Sequence, residues 1–141
     1  MILLDTDHLS VVVNRHGAGH AILMARLDNA HEALSVPVIC VEEQCKGWLA
    51  KIHRTRDVHQ QILAYEHLRL LFHFFRKWEI RSFDTAAANA FNELRRQKIR
   101  IGSQDLKIAA MTLTNHALLL SANLRDFQKV PGLRVENWLN A

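Results

Sequence analysis

Short apolar runs alternate along this chain with longer segments in which apolar residues recur at helical spacing. A run of three to five consecutive apolar residues is typical of a strand that is buried on both faces of a parallel sheet. Pro37 lies inside one of these runs and cannot donate a ladder hydrogen bond, which weakens the prediction there. We predict strands at residues 1–4, 35–39 and 117–121, with 79–81 and 133–135 as further candidates.

The segments between these runs have the pattern of helices. The clearest is 84–98, where Ala87, Phe91 and Leu94 fall at i, i+4 and i+7 and Asp84 is available as the N-cap. The alternation of strands and helices predicts a single α/β domain over residues 1–141, with a mainly parallel sheet. The predicted helices are 18–30, 40–54, 58–77, 84–98 and 103–115.

Side chains with oxygen donors follow the ends of three predicted strands. Because the carboxyl ends of parallel strands lie along one edge of a sheet, we expect these side chains to meet at that edge. Asp105 opens the helix that leads into the third of these strands, so we expect it at the same place. The others are Asp5 and Asp7 after the first strand, Glu42 and Glu43 after the second, and Asn123 and Asp126 after the strand at 117–121.

Such a cluster favours metal-dependent hydrolysis of a phosphodiester. Neighbouring carboxylates repel one another, so they need a hard divalent cation in order to stay ionised. Mg²⁺ and Mn²⁺ suit oxygen ligands and activate water for in-line attack on phosphate. Taken singly, each residue has a simpler explanation, because Asp5 can cap a helix and Glu42, Glu43 and Asp105 can complement a helix dipole. The hydrolytic interpretation depends on their convergence.

The composition narrows the class of protein. The net charge of +4 and the pI of about 9.4 favour a polyanionic partner, although weakly. No apolar run approaches the roughly 18 residues of a membrane helix, and the N-terminus lacks the basic region of a secretory signal, so we expect a cytoplasmic protein with no membrane partner.

Cys40 and Cys45 are expected to be reduced thiols. The nine histidines include no zinc-binding HExxH pattern; only His8, close to Asp5, is a candidate pocket residue.

Four segments resemble the VapC-type PIN-domain toxins of bacterial toxin–antitoxin systems. Together they extend over essentially the whole chain, in the familiar order and spacing. They are LLDTDHLS at 3–10, VEEQ at 41–44 with GW at 47–48, IGSQDLKIAA at 101–110, and NLRDF at 123–127 with VPGLRVENW at 130–138.

The resemblance implies a three-layer α/β/α fold and a Mg²⁺-dependent endoribonuclease, with Mn²⁺ as a possible substitute. It also implies a homodimer that is neutralised by a small antitoxin. Carried over by position, Asp5, Glu43 and Asp105 become the catalytic metal ligands. The fourth acidic position of the family falls at Asn123, which brings no charge, so either Asn123 or Asp126 completes the metal shell.

Further roles are expected around this cluster. Thr6 and Ser10 are expected to hydrogen-bond the carboxylates, or else to cap the following turn. Arg100 and Arg125 are expected to bind the RNA backbone on either side of the scissile phosphate, although a solvated helix face explains such basic residues almost as well. The apolar stretch 68–75 is either core or a groove for an antitoxin segment.

The predicted function is therefore hydrolysis of RNA by metal-activated water. Three alternatives remain open at this point: a nuclease that acts on DNA, a catalytically weak module that binds RNA or protein, and a purely structural scaffold.

Overall fold

The computed structural model describes residues 1–140 as five strands and seven helices. The strands are short, and helices occupy most of the chain between them. In chain order the elements are β1 (Ile2–Leu4), α1 (Thr6–Asn14), α2 (Ala18–Asn29), β2 (Leu34–Pro37), α3 (Val38–Arg54), α4 (Val58–Phe75), β3 (Glu79–Arg81), α5 (Thr85–Arg96), α6 (Ser103–Thr114), β4 (Leu118–Leu120), α7 (Leu124–Phe127) and β5 (Arg134–Glu136).

The strands form one sheet in the order β3-β2-β1-β4-β5, and every neighbouring pair is parallel. The central strands β1 and β4 pair over their whole length, with Ile2 opposite Leu118 and Leu4 opposite Leu120. All five carboxyl ends consequently lie along one edge of the sheet. This arrangement confirms the predicted α/β/α fold with a parallel sheet.

The sheet separates two hydrophobic layers because successive side chains of a strand point to opposite faces. Leu3 and Leu119 pack on one face with residues of α3, α4, α5 and α6. Ile2 and Leu4 pack on the other face with residues of α1 and α2, including Leu23. β1 and β4 are thus buried on both sides, which explains why they appear in the sequence as unbroken apolar runs.

Most boundaries lie within two residues of the predicted ones, the short helix α7 was not predicted, and two differences bear on the site. Helix α1 begins at Thr6, directly after Asp5, in a segment where no helix was predicted. Helix α3 begins at Val38 rather than Cys40, because Pro37 ends the ladder of β2 and its fixed φ suits the start of a helix. Glu43 is therefore the sixth residue of α3 and does not lie in its first turn.

Helix α5 begins as predicted: the Asp84 side chain accepts a hydrogen bond of 2.9 Å from the Ala87 N–H.

Cys40 and Cys45 are both free thiols, as expected. Burial raises the pKa of the Cys40 thiol well above its ordinary value. None of the helices within residues 1–140 combines the length and the hydropathy that crossing a bilayer requires.

Candidate active site

Asp5 lies at the carboxyl end of β1 and is held there from three directions. Its backbone N–H donates to the Leu120 carbonyl across the β1–β4 pair, at 2.9 Å. One carboxylate oxygen accepts from the Thr6 N–H at 2.7 Å and caps α1. The other accepts from the Ser121 hydroxyl at 2.7 Å, so a residue just beyond β4 fixes a carboxylate just beyond β1. Only 6% of Asp5 is exposed.

Asp7 points toward the same edge. Its Oδ2 accepts from the Ala122 N–H at 2.9 Å and lies 3.4 Å from the Ser121 hydroxyl. Its Oδ1 lies 2.6 Å from Nδ1 of the fully buried His8. The two aspartates after β1 are therefore joined through Ser121.

Glu43 reaches this edge from α3. Its Oε2 accepts from the Thr6 hydroxyl at 3.0 Å. Its Oε1 is buried and has no hydrogen-bond partner. A buried carboxylate oxygen without a partner is costly, and it is one observation that favours a ligand which this chain does not itself provide.

Asp105, Asn123 and Asp126 form the other half of the cluster. Asp105 lies in the first turn of α6, and Asn123 and Asp126 lie beyond β4. The Asn123 side-chain amide donates to Asp105 Oδ2 and to Asp126 Oδ2, each at 3.2 Å. The Asn123 N–H also donates to the Ser121 hydroxyl at 3.0 Å, which links this half to Asp5. Asn123 thus acts here as a donor that holds two carboxylates close together.

Three carboxyl groups have pKa values above their ordinary ones, so their ionised form is disfavoured. Burial raises the pKa of Asp5 to about 6, and the neighbouring charges of Asp7 and Asp105 add to the effect. Burial, followed by Asp126, raises the pKa of Asp105. Burial also raises the pKa of Glu43, and Asp105 and Glu42 contribute. Asp105 is the common neighbour of the other two, because its charge contributes to the raised pKa of both Asp5 and Glu43.

Two other carboxyl groups are stabilised in the ionised form. Burial acts to raise the pKa of Asp7, but hydrogen bonds from His8 and from the Ala122 N–H outweigh it and hold that pKa below its ordinary value. The pKa of Asp126 is lowered, mainly by the hydrogen bond from Asn123, with a further contribution from Lys129. The cluster therefore keeps negative charge at neutral pH.

The donor set fits a hard divalent cation better than any softer metal, since it consists of carboxylate and amide oxygens. Within residues 1–140, however, no three His, Cys, Asp or Glu side chains are arranged closely enough to hold a metal ion as they stand. Ser121, Thr6 and Asn123 now take up most of the carboxylate oxygens, whereas Glu43 Oε1 remains free. A cation would have to draw the carboxylates of Asp5, Glu43 and Asp105 together.

The remaining predicted residues differ in whether they contact the carboxylate cluster. Thr6 contacts Glu43, as expected of a residue that orients a carboxylate. Ser10 instead accepts a hydrogen bond of 2.7 Å from the side chain of Gln44. Arg100 and Arg125 are exposed; Arg100 lies just before α6 and Arg125 lies on α7, so they flank the Asp105–Asn123 half of the cluster along the chain.

Sequence reasoning missed Ser121 as the central donor of the site. Ser121 ends the predicted apolar strand 117–121, and a serine at that place gives no signal of a functional role by itself. Its position at the carboxyl end of a central strand, level with Asp5, was the available signal. The contact between them joins residues 116 positions apart, so only the pairing of β1 with β4 reveals it.

Comparisons with known proteins agree with the resemblance noted in the sequence. The chain is 42% identical over 48 residues to ribonuclease VapC1 of Rickettsia felis, which is 34% of this chain and 36% of that protein. It is 30% identical over 69 residues to the tRNA(fMet)-specific endonuclease VapC of Salmonella typhimurium, which is 46% of this chain and 52% of that protein. The aligned part thus extends over between a third and half of these relatives. No protein-family profile matches the chain.

Solved structures match over nearly the whole length. VapBC from Salmonella typhimurium bound to DNA superposes with a TM-score of 0.75 at 22% identity, covering 97% of both chains. VapBC2 from Rickettsia felis bound to a promoter DNA fragment gives a TM-score of 0.73 at 23% identity, covering 98% of this chain and 99% of that one. At such identities the likeness establishes the fold. Together with the named relatives, it confirms the resemblance to VapC-type PIN-domain proteins.

Proposed function

We propose that this chain is a divalent-metal-dependent endoribonuclease and the toxin half of a toxin–antitoxin pair. The observation that carries the proposal is the hydrogen-bond network at the carboxyl edge of the sheet, in which Thr6 holds Glu43, Ser121 holds Asp5 and Asn123 holds Asp105. The relatives named as VapC ribonucleases supply the substrate class. Mg²⁺ or Mn²⁺ bound by these three carboxylates, with Asn123 or Asp126, would neutralise their charge and activate water for attack on a phosphodiester.

The protein's own side chains have separate tasks in this mechanism. Thr6 orients Glu43, and Ser121 orients Asp5, so that both carboxylates are aimed before any ligand arrives. A cation would then have to draw these two carboxylates toward Asp105, so only part of the site is organised in advance. Arg100 and Arg125 would bind backbone phosphates on either side and hold the strand in register.

The direct test is cleavage of a structured RNA by the purified protein in Mg²⁺, with EDTA as the metal-free condition. We expect cleavage to require the cation, and Asp5→Asn and Asp105→Asn to reduce its rate by at least about 100-fold, because each removes charge from the proposed cation site. Asp28→Asn is the matched control, since Asp28 is an exposed carboxylate on α2. Wild-type rates in both site variants would refute the proposal.

The same assay, with RNA binding measured beside it by titration calorimetry, separates the other functions. A DNA oligonucleotide of matched sequence reports a deoxyribonuclease if it is cut faster than the RNA. A binding module would retain RNA affinity in EDTA and cleave neither strand. A structural scaffold would neither bind RNA nor cleave it.

We also infer an antitoxin partner, because the solved relatives are VapBC complexes. A groove of about 830 Å³ separates α1 and α2 from α4 and suits an apolar segment with acidic residues. Its walls combine apolar and aromatic side chains such as Leu70, Phe74 and Trp48 with the basic Arg15 and Lys77, and no acidic side chain contributes. The stretch 68–75 therefore lies partly in the core, through Leu71 and Phe75, and partly on this groove.

We infer a homodimer from another face of α4. Val58, Ile62, Tyr65 and Phe72 are each more than half exposed and recur at spacings of four, three and seven residues, which places them in one stripe along the helix. Arg69, which completes the spacing, is paired with Glu66. An apolar stripe of this length on the surface is typical of a protein contact, and a second copy of the same helix would match it.

A further inference from the structure

The fully buried imidazole of His8 bridges two parts of the chain that are far apart in sequence. Its Nδ1 lies 2.6 Å from Asp7 Oδ1, beside the carboxylate cluster. Its Nε2 accepts a hydrogen bond of 3.1 Å from the Trp138 N–H, near the end of the chain. His8 has no exposed surface, so the ring cannot exchange either partner for water without local opening.

The two contacts determine where the ring carries its proton. A nitrogen that accepts an N–H cannot itself bear a hydrogen, so Nε2 is unprotonated and Nδ1 holds the proton. The Nδ1–H therefore donates to Asp7 Oδ1. With Oδ1 held in this way, Asp7 Oδ2 is aimed at the Ala122 N–H and at Ser121, which also holds Asp5.

The segment that contacts His8 is itself anchored. The Trp138 indole N–H donates to Glu136 at 2.6 Å, and the Arg26 guanidinium of α2 lies 5.8 Å from the centre of the Trp138 ring. Leu139 packs against Gly19, where an added Cβ would lie 3.4 Å from the Leu139 carbonyl oxygen. The Trp138 N–H is consequently a fixed donor, able to hold the imidazole in one orientation.

We propose that His8 is a positioning residue: it transmits the placement of the 136–139 segment to Asp7 and so sets the geometry of the carboxylate cluster. The proposal rests on the proposed function only in treating the cluster as a cation site. Asp7 is not itself required to bind the cation. Its role is to hold Ser121 and Ala122 at the end of β4, where Ser121 orients Asp5.

Two substitutions separate the two contacts of the ring. His8→Asn puts an amide N–H where Nδ1 lies and keeps the donor to Asp7. His8→Gln puts an amide oxygen where Nε2 lies and keeps the acceptor for Trp138, but it loses the ring donor to Asp7 and leaves only the backbone N–H of residue 8 on Asp7 Oδ1. We expect His8→Gln to lower Mn²⁺ affinity in titration calorimetry by about 10- to 100-fold, and His8→Asn to change it by less than about 3-fold.

Amide hydrogen exchange in metal-free protein gives an independent measurement. The Ala122 N–H should exchange faster in His8→Gln and at the wild-type rate in His8→Asn, and the Trp138 N–H should show the opposite pattern. Equal effects of both variants on Mn²⁺ affinity, in proportion to their loss of thermal stability, would overturn the positioning role. If the wild type itself binds no Mn²⁺, the proposed metal centre fails, and the exchange pattern alone decides the role of His8.

A third measurement needs no variant and so does not depend on the folding of a mutant. The imidazole ¹⁵N spectrum of wild-type protein at neutral pH should show His8 with a protonated Nδ1 and an unprotonated Nε2. The opposite tautomer, or a doubly protonated ring, would remove the bridge between Asp7 and Trp138 and with it the proposal.

Discussion

Asp5 is the residue at which folding and the proposed chemistry are most clearly opposed. It caps α1 and is almost completely buried, yet the site requires it to be ionised. Burial of a carboxylate disfavours its charged form, and here that effect is larger than the help from Ser121 and Thr6. The metal-free protein therefore tolerates an unfavourable charge at this position, and a bound cation would relieve it.

The pH dependence of stability follows from the sign of this shift. The pKa of Asp5 is about 6 in the folded protein and near 3.8, the ordinary value of an aspartate, when unfolded, so between these values the folded state holds a proton that the unfolded state has released. Stability from this group is fully present below pH 4 and is lost as pH rises through 6, by about 3 kcal/mol at most. Asp5→Asn, which cannot ionise, should therefore gain stability relative to wild type over this range.

Urea unfolding in EDTA at several pH values measures the difference. The free energy of unfolding of Asp5→Asn minus that of wild type should rise between pH 4 and pH 7, while the same difference for the exposed control Asp28→Asn stays flat. Addition of Mn²⁺ at pH 7 should stabilise wild type and leave Asp5→Asn unchanged. A flat profile for Asp5→Asn would mean that burial does not penalise this carboxylate.

At this scale the sequence indicates candidate acidic residues more readily than the partners of those residues. Asp5, Glu43 and Asp105 could be proposed because each has a fixed place relative to a predicted strand or helix and a match in the resemblance. His8 was proposed only as a pocket residue and Ser121 was not proposed at all, because their contacts depend on which strand pairs with β1 and on where residues 136–139 lie. A hydrogen bond between residues so far apart in the sequence produces no periodic pattern that could be recognised.

The elements show a similar division between local and non-local causes. The buried strands β1 and β4 and the amphipathic helix α5 were predictable, since their patterns are set by burial on two faces or on one. Helix α1 was missed because only Asp5 separates its first turn, Thr6 to Leu9, from β1, and no glycine or proline marks the boundary. The end of β2 was misplaced by two residues, because a proline can close a strand and open a helix at once.

The start of α5 offers a test at the level of one element. The Asp84 carboxylate accepts from the Ala87 N–H, one of the donors that the first turn of a helix leaves without a partner. Asp84→Ala should lower the free energy of unfolding by about 1 kcal/mol, whereas Asp84→Ser should retain most of it because serine is also a good N-cap. Urea denaturation measures both. An equal loss in the two variants would show that charge near the helix, and not the cap, stabilises α5.

At the scale of the whole molecule, parallel pairing does most to create the candidate site. Because all five strands run in one direction, the chain leaves the central strands β1 and β4 at the same edge, and α3 and α6 bring Glu43 and Asp105 to it. This convergence was predictable from the alternation of strands and helices. The exact distances were not, since they depend on the packing of helices on both faces of the sheet.

The two faces of α4 are proposed to serve different partners, and neighbouring residues can separate them. Leu70 lines the groove between α1, α2 and α4, whereas Phe72 belongs to the exposed stripe on another face of the same helix. Both side chains are substantially exposed, at 45% and 59%, so a glutamate at either position should leave the monomer folded. The helix, the type of change and the added charge are the same in the two variants.

Co-expression with the product of a short reading frame beside this gene, followed by sedimentation, distinguishes the two surfaces. Leu70→Glu should lose the antitoxin partner and still form a dimer, because it puts an apolar-to-charged change in the groove alone. Phe72→Glu should keep the partner and sediment nearer to the 16.2 kDa monomer plus its partner, because it disrupts the stripe. If Leu70→Glu retains the partner at wild-type affinity, the groove is not its binding site; if Phe72→Glu remains a dimer, the second copy binds elsewhere.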